Sequence, residues 1–173
     1  MERGVEFLKS QVSNAVLLHR TFLRSLEDHE GQAIDPRFRD LCTRFIPKAT
    51  AHQQMLEAYQ HAIGADDGIA KKAVGMVLGV ARDLADVVRE DDFLRLVGDI
   101  VMGRQAEDTF KTFREAGRTL GLQQLAQIGE IGERHHDEYV KEANRLAQQL
   151  FVESVRGAEE IVRAAEQPES FSG

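Results

Sequence analysis

Residues 132–147 read GERHHDEYVKEANRLA. Glu133 and His136 stand three apart here, so on a helix both project from one face of one turn. A carboxylate and an imidazole at that spacing can grip a cation such as iron, manganese or zinc. His135 and His136 are adjacent, about 100° apart around a helix axis, so only one readily faces a core. The pattern puts His136 inside and His135 at the surface or an interface. His136 belongs to a long stripe of Leu122, Leu125, Gly129, Glu133, Val140, Ala143, Ala147 and Leu150. Ile128, Ile131, Tyr139 and Leu146 form an adjoining face, and so broad an apolar surface suits a helix packed against several others.

The helical period extends outward over nearly the whole chain. Val5, Leu8, Val12, Ala15, His19, Phe22 and Leu26 follow 3-4 spacing and predict a first helix that stops near Gly31. Asp35 and Pro36 read as the N-cap and first-turn proline of a second helix. Its stripe is Phe38, Leu41, Phe45, Lys48 or Ala49, His52, Met55, Tyr59 and Ala62, with Gly64 as the stop. Pro47 lies inside that pattern and is expected to kink the helix or split off its first turn. A middle helix is expected over 67–89, with Gly75 and Gly79 inside it. A fourth stripe runs Phe93, Leu96, Ile100, Gly103, Glu107, Phe110 and Arg114, closing at Gly117 and Gly121. Residues 151–166 continue helically as a terminal or dimer-contacting helix, and 167–173 form a disordered tail. The expectation is therefore one all-α domain over 1–166.

Ionisable residues occupy the positions where these stripes should carry leucine. His19, His52, Glu107, Glu133 and His136 come from four helices, and each is near mid-helix. Polar groups aimed at a core are costly unless paired or bound to metal. In an antiparallel bundle the middles of the helices meet, so these five are the candidate metal ligands. His29 and His61 lie at helix ends and read as caps favoured by the dipole. Tyr59 and Tyr139 read as core tyrosines.

Composition narrows the classes. With 173 residues, a formal charge of −7 and a pI near 5.4, the chain has the wrong balance for a general nucleic-acid binder. Trp is absent and no Lys/Arg run occurs. The single Cys42 on an apolar position reads as a buried thiol and excludes an intrachain disulfide. No stretch has the length of a membrane span or the apolar core of a signal peptide, so a cytoplasmic location is expected. No Ser-His-Asp pattern, phosphate-binding glycine loop or Cys/His cluster is visible.

Taken together, ATAHQQMLEAYQHAIG at 49–64, the middle segment, QAEDTFKTFREAG at 105–117 and GERHHDEYVKEANRLA resemble the ferritin-like superfamily. The closest likeness is to the bacterial stress-associated YciF-type family, over roughly residues 5–150. That resemblance implies an antiparallel four-helix bundle with an additional middle helix and a C-terminal helix, and a homodimer. A complete ferritin-like site offers Glu, then Glu-x-x-His, twice. Here Glu107 and Glu133-x-x-His136 match the second half, while Ala49 precedes His52 and His19 stands where the first Glu would lie. Loss of a bridging carboxylate at Ala49 leaves two dications under-compensated and argues against ferroxidase turnover. The leading expectation is a stress-associated protein binding one iron, zinc or manganese ion or none. The alternatives are a metal-free structural or interaction module and a mononuclear iron enzyme that uses oxygen.

Overall fold

Capping chemistry and stripe position set the helices of the computed structural model, which describes residues 2–65 and 91–166. The expected middle helix over 67–89 and the tail at 167–173 lie outside the described residues. Helix α1 spans Glu2–Gln32 and buries Val12, Ala15, Val16, His19, Phe22 and Leu26, as its spacing predicts. Its first two turns bury nothing, and Phe7 is exposed. Helix α2 spans Pro36–Ala62, with Pro36 in its first turn and the Asp35 carboxylate accepting from the Arg37 amide at 2.8 Å. Asp35→Ala is expected to cost about 1 kcal/mol in chemical denaturation through loss of this cap. Pro47 does not split α2, which runs without interruption. Phe38, Leu41, Cys42 and Phe45 before it, and Ala49 after it, share one core cluster that holds both halves in register.

Helix α3 spans Asp92–Leu120 and ends at Gly121 in the left-handed conformation (φ 70°), the region glycine enters without strain. Gly117 closes this end through its carbonyl, which accepts from the amides of Gly121 and Leu122. It belongs to the last turns of α3 and lies against Ala126. Helix α4 spans Gln123–Val155, and the short α5 spans Glu159–Ala165 with no buried residue. No strand is present among the described residues.

The side-chain pairs fix the topology. Helix α1 packs on α2 and α3, and α4 packs on α3 and α2, giving a cyclic order α1–α2–α4–α3. Arg37–Glu153 at 2.7 Å, Lys48–Glu138 at 3.1 Å and His52–His135 run antiparallel along α2 and α4. Ser25 and His29 near the end of α1 meet Asp99 near the start of α3, so that pair is antiparallel as well. Helices α2 and α3 therefore run in the same direction, and residues 66–90 connect opposite ends of the bundle. At one end, the Asp92 carboxylate accepts from the amides of Ile34 and Asp35, tying α3 to the α1–α2 turn. No helix among the described residues is long and apolar enough to cross a membrane.

Two apolar clusters fill the bundle. One holds Phe22, Leu26, Phe38, Phe45, Leu96, Tyr139 and Leu150 with their neighbours, including the buried thiol of Cys42. The other holds Val12, Val16, Leu56, Phe110, Phe113 and Leu125. Between them in sequence on α1, α2 and α4 stand His19, His52 and His136. A histidine layer thus divides the core.

Candidate functional site

Each histidine of this layer is brought in by its helix stripe and is almost completely buried, at 3 % exposure for His19, 1 % for His52 and 0 % for His136. Their ring centroids lie 5.2 Å (His19–His136), 5.3 Å (His52–His136) and 6.2 Å (His19–His52) apart. Phe22, Phe45 and Phe110 pack around them. Burial makes the charged form costly. It pushes His19 from 6.5 down to about 4, with the Gln53 bond opposing. His52 is pushed down to about 3 by burial, aided by the charges of His19, His135 and Lys48. His136 is lowered well below its ordinary value, first by burial and then by His19. At neutral pH the layer consists of uncharged imidazoles.

The hydrogen bonds then assign the ring protons. His136 Nδ1 lies 2.7 Å from the Gly132 carbonyl oxygen, which only accepts, so Nδ1 carries the hydrogen. His19 Nδ1 lies 2.9 Å from Gln53 Oε1 and likewise donates. Both Nε2 atoms are consequently bare acceptors, yet they face each other at 3.2 Å. Two neutral imidazoles in these tautomers place no hydrogen between those nitrogens. His52 pairs through Nε2 with His135 Nδ1 at 3.0 Å, and its own Nδ1 is buried without a partner. The cheaper arrangement puts the hydrogen on Nε2, since an orphaned buried N–H is rarer than an under-used acceptor. The layer therefore contains three imidazole nitrogens with free lone pairs.

The two expected carboxylates are directed elsewhere. Glu107 is only partly buried and pairs with Arg104 at 3.4 Å; burial and the nearby acidic groups raise its pKa, with Arg104 opposing. Glu133 pairs with Arg114. The inward positions beside them are Gly103, Ala106 and Phe110 on α3 and Gly132 on α4, where a Cβ would overlap the Phe110 ring. Among the described residues, no group of three or more His, Cys, Asp and Glu side chains is placed to hold a metal ion as it stands. A cavity of about 30 Å³ adjoins His19 between α1 and α3, lined by Ala15, Leu18, Thr21, Met102, Ala106 and Phe110 among others. That is room enough for a water molecule.

The sequence carries no expectation for Gln53, Ser25 and Asp99, and His29 and His135 take partners other than those expected. Gln53 neighbours His52 on α2 and turns its amide onto His19, and His135 is a hydrogen-bond partner rather than a plain surface residue. Asp99 is fully buried and accepts from Ser25 Oγ and His29 Nδ1, each at 2.7 Å. His29 is thus the partner of a buried carboxylate rather than a helix-end cap. Burial raises the Asp99 pKa, and His29 and Ser25 oppose that rise. Ser25 donates to Asp99 and not to His29, so this trio is not arranged to activate a nucleophile. Spacing alone offered only a weak signal for any of these: the i, i+4 pairs Gln53/Glu57 and Ser25/His29.

Comparison with protein-family models, curated proteins and solved structures gives no match.

Proposed function

We propose that this chain is a ferritin-like bundle of the bacterial stress-associated type that binds one transition-metal ion at its histidine layer. The ferritin-like assignment is supported by the up-down-down-up helix order with one long connection between α2 and α3. The metal assignment rests on a single observation: the bare Nε2 atoms of His19 and His136 face each other at 3.2 Å. Two nitrogens bound to one zinc at roughly 2.0–2.1 Å in tetrahedral array stand about 3.3 Å apart. His19 and His136 would ligate through Nε2, and His52 through its unpartnered Nδ1 after a turn of its ring. A metal bound there would supply Lewis acidity to a water or substrate oxygen.

A carboxylate-bridged metal pair does not fit these residues. Ala49 offers no ligand, and Glu107 and Glu133 are engaged by Arg104 and Arg114. Three neutral imidazoles leave two dications uncompensated. Ferroxidase turnover is accordingly not part of the proposal. A cytoplasmic location and a second copy of the chain as partner remain proposals of the family resemblance.

Protein purified without a histidine tag and loaded with Zn(II), Co(II) or Fe(II) should retain about one ion per chain. At an excess of about 100 times Kd the gain in stability is about 2.7 kcal/mol. His136→Gln should abolish both effects. The second reading, a metal-free scaffold, is favoured by the arginine pairing of both carboxylates. Metal content and melting temperature that stay unchanged on loading would establish it in place of the first.

A further inference from the structure

The orientation of the Gln53 amide is fixed by the groups around it. Its Nε2 donates to the Val16 carbonyl at 3.2 Å and to Glu57 Oε1 at 2.7 Å. Glu57 in turn accepts from Arg20 Nη2 at 2.8 Å. Flipping the amide would set its oxygen against a carbonyl and a carboxylate, so Oε1 must face His19. His19 Nδ1 must then carry the hydrogen, and His136 is held in the same tautomer by the backbone of its own helix. Free imidazole side chains favour the other tautomer, with the hydrogen on Nε2. The fold therefore keeps two histidines in the less favoured form and points their lone pairs at each other. A cation between those nitrogens removes the repulsion.

Resting on the single-metal reading, we infer that Gln53 is a positioning residue that keeps His19 a metal ligand, and that the resulting uncharged nitrogen donors select a late first-row divalent ion. Imidazole suits zinc, nickel and copper, whereas magnesium, calcium and manganese prefer carboxylate, carbonyl and water oxygens. Affinity for nitrogen sites also rises along the row toward copper. Gln53 and the Gly132 carbonyl hold the far nitrogens of His19 and His136, the arrangement that orients imidazole ligands in metal sites.

Long-range ¹H–¹⁵N correlation of the metal-free protein at neutral pH tests the tautomers without any metal. His19 and His136 should both show the Nδ1–H pattern. In Gln53→Leu, His19 should convert to the Nε2–H form and donate to His136, and zinc affinity should fall about 10- to 100-fold. An Nε2–H His19 in the parent protein overturns the inference. A Gln53→Leu variant that melts lower but binds zinc unchanged also overturns it, because Gln53 would then be structural only. Manganese competing equally with zinc overturns the selectivity. Tautomers as stated, with no binding of zinc, nickel or copper, would instead remove the single-metal reading and leave the tautomer lock standing.

Discussion

Acidifying the metal-free protein from about pH 7.5 to about pH 5 is expected to destabilise it by about 4 kcal/mol or more. The sign follows from the lowered folded-state values of His19 (about 4), His52 (about 3) and His136. Between those values and the ordinary 6.5, the unfolded chain binds protons that the folded chain refuses. Stability is then full above 6.5 and is lost as pH falls below it. Each such group contributes up to about 1.4 kcal/mol per pH unit. Counting only His19 and His52, whose values fall to about 4 and about 3, sets the lower bound on the slope. That gives about 3 kcal/mol per pH unit, against a total stability of about 5–15 kcal/mol for a domain. Asp99 acts in the opposite sense, since its raised pKa lets the folded state take a proton more readily. Urea denaturation at a series of pH values measures the slope, and His136→Gln should flatten it. A slope below about 1 kcal/mol per pH unit between 6.5 and 5 would show that the imidazoles are not kept neutral by burial.

Gly129→Ala is expected to destabilise the protein by about 3 kcal/mol or more, the upper range for overpacking a close contact. Intrinsic helix propensity predicts the opposite, a gain of about 1 kcal/mol for alanine over glycine. Packing wins because a Cβ at Gly129 would overlap the Arg114 amide nitrogen and the Phe110 carbonyl oxygen, both backbone atoms. Backbone cannot rotate aside as a side chain can, so α3 and α4 must separate. Gly98 supplies the control, since a Cβ there meets nothing within 4 Å. Gly98→Ala should therefore be neutral or stabilising by up to about 1 kcal/mol. Calorimetric melting of the two variants beside the parent decides the matter. Similar shifts for both would mean that α3 and α4 are not in backbone contact at Gly129.

Much of the bundle is legible in the residues themselves. Asp35 and Pro36 start α2, Gly121 ends α3, and the 3-4 spacing of α1 and α2 brings His19 and His52 to the interior. On α3 the reading fails in a specific way. Leu96, Gly103 and Phe110 repeat every seven residues and are buried as expected. The intermediate position of such a repeat falls three or four residues later. A four-residue step puts Ile100, Glu107 and Arg114 on the inner face, whereas the buried residues of the helix include Asp99 and Phe113. One residue is about 100° of rotation, enough to bring a carboxylate into the core or turn it toward an arginine. On α4 the same ambiguity separates Glu133, paired with Arg114, from Gly132 in the interior.

The sequence by itself determined the helical class, the start of α2, the end of α3 and the three histidines of the core, because caps and periodicity are local properties of the chain. It ended α4 near 150, whereas α4 runs to Val155. Tertiary structure alone decided the rotation of α3 against α4, and with it the loss of Glu107 and Glu133 from the interior and the burial of Asp99. It also decided the tautomers, which depend on Gln53 meeting His19 across two helices. The physical reason is common to both. A helix specifies which residues share a face, but the neighbour it packs against determines which edge of that face is covered.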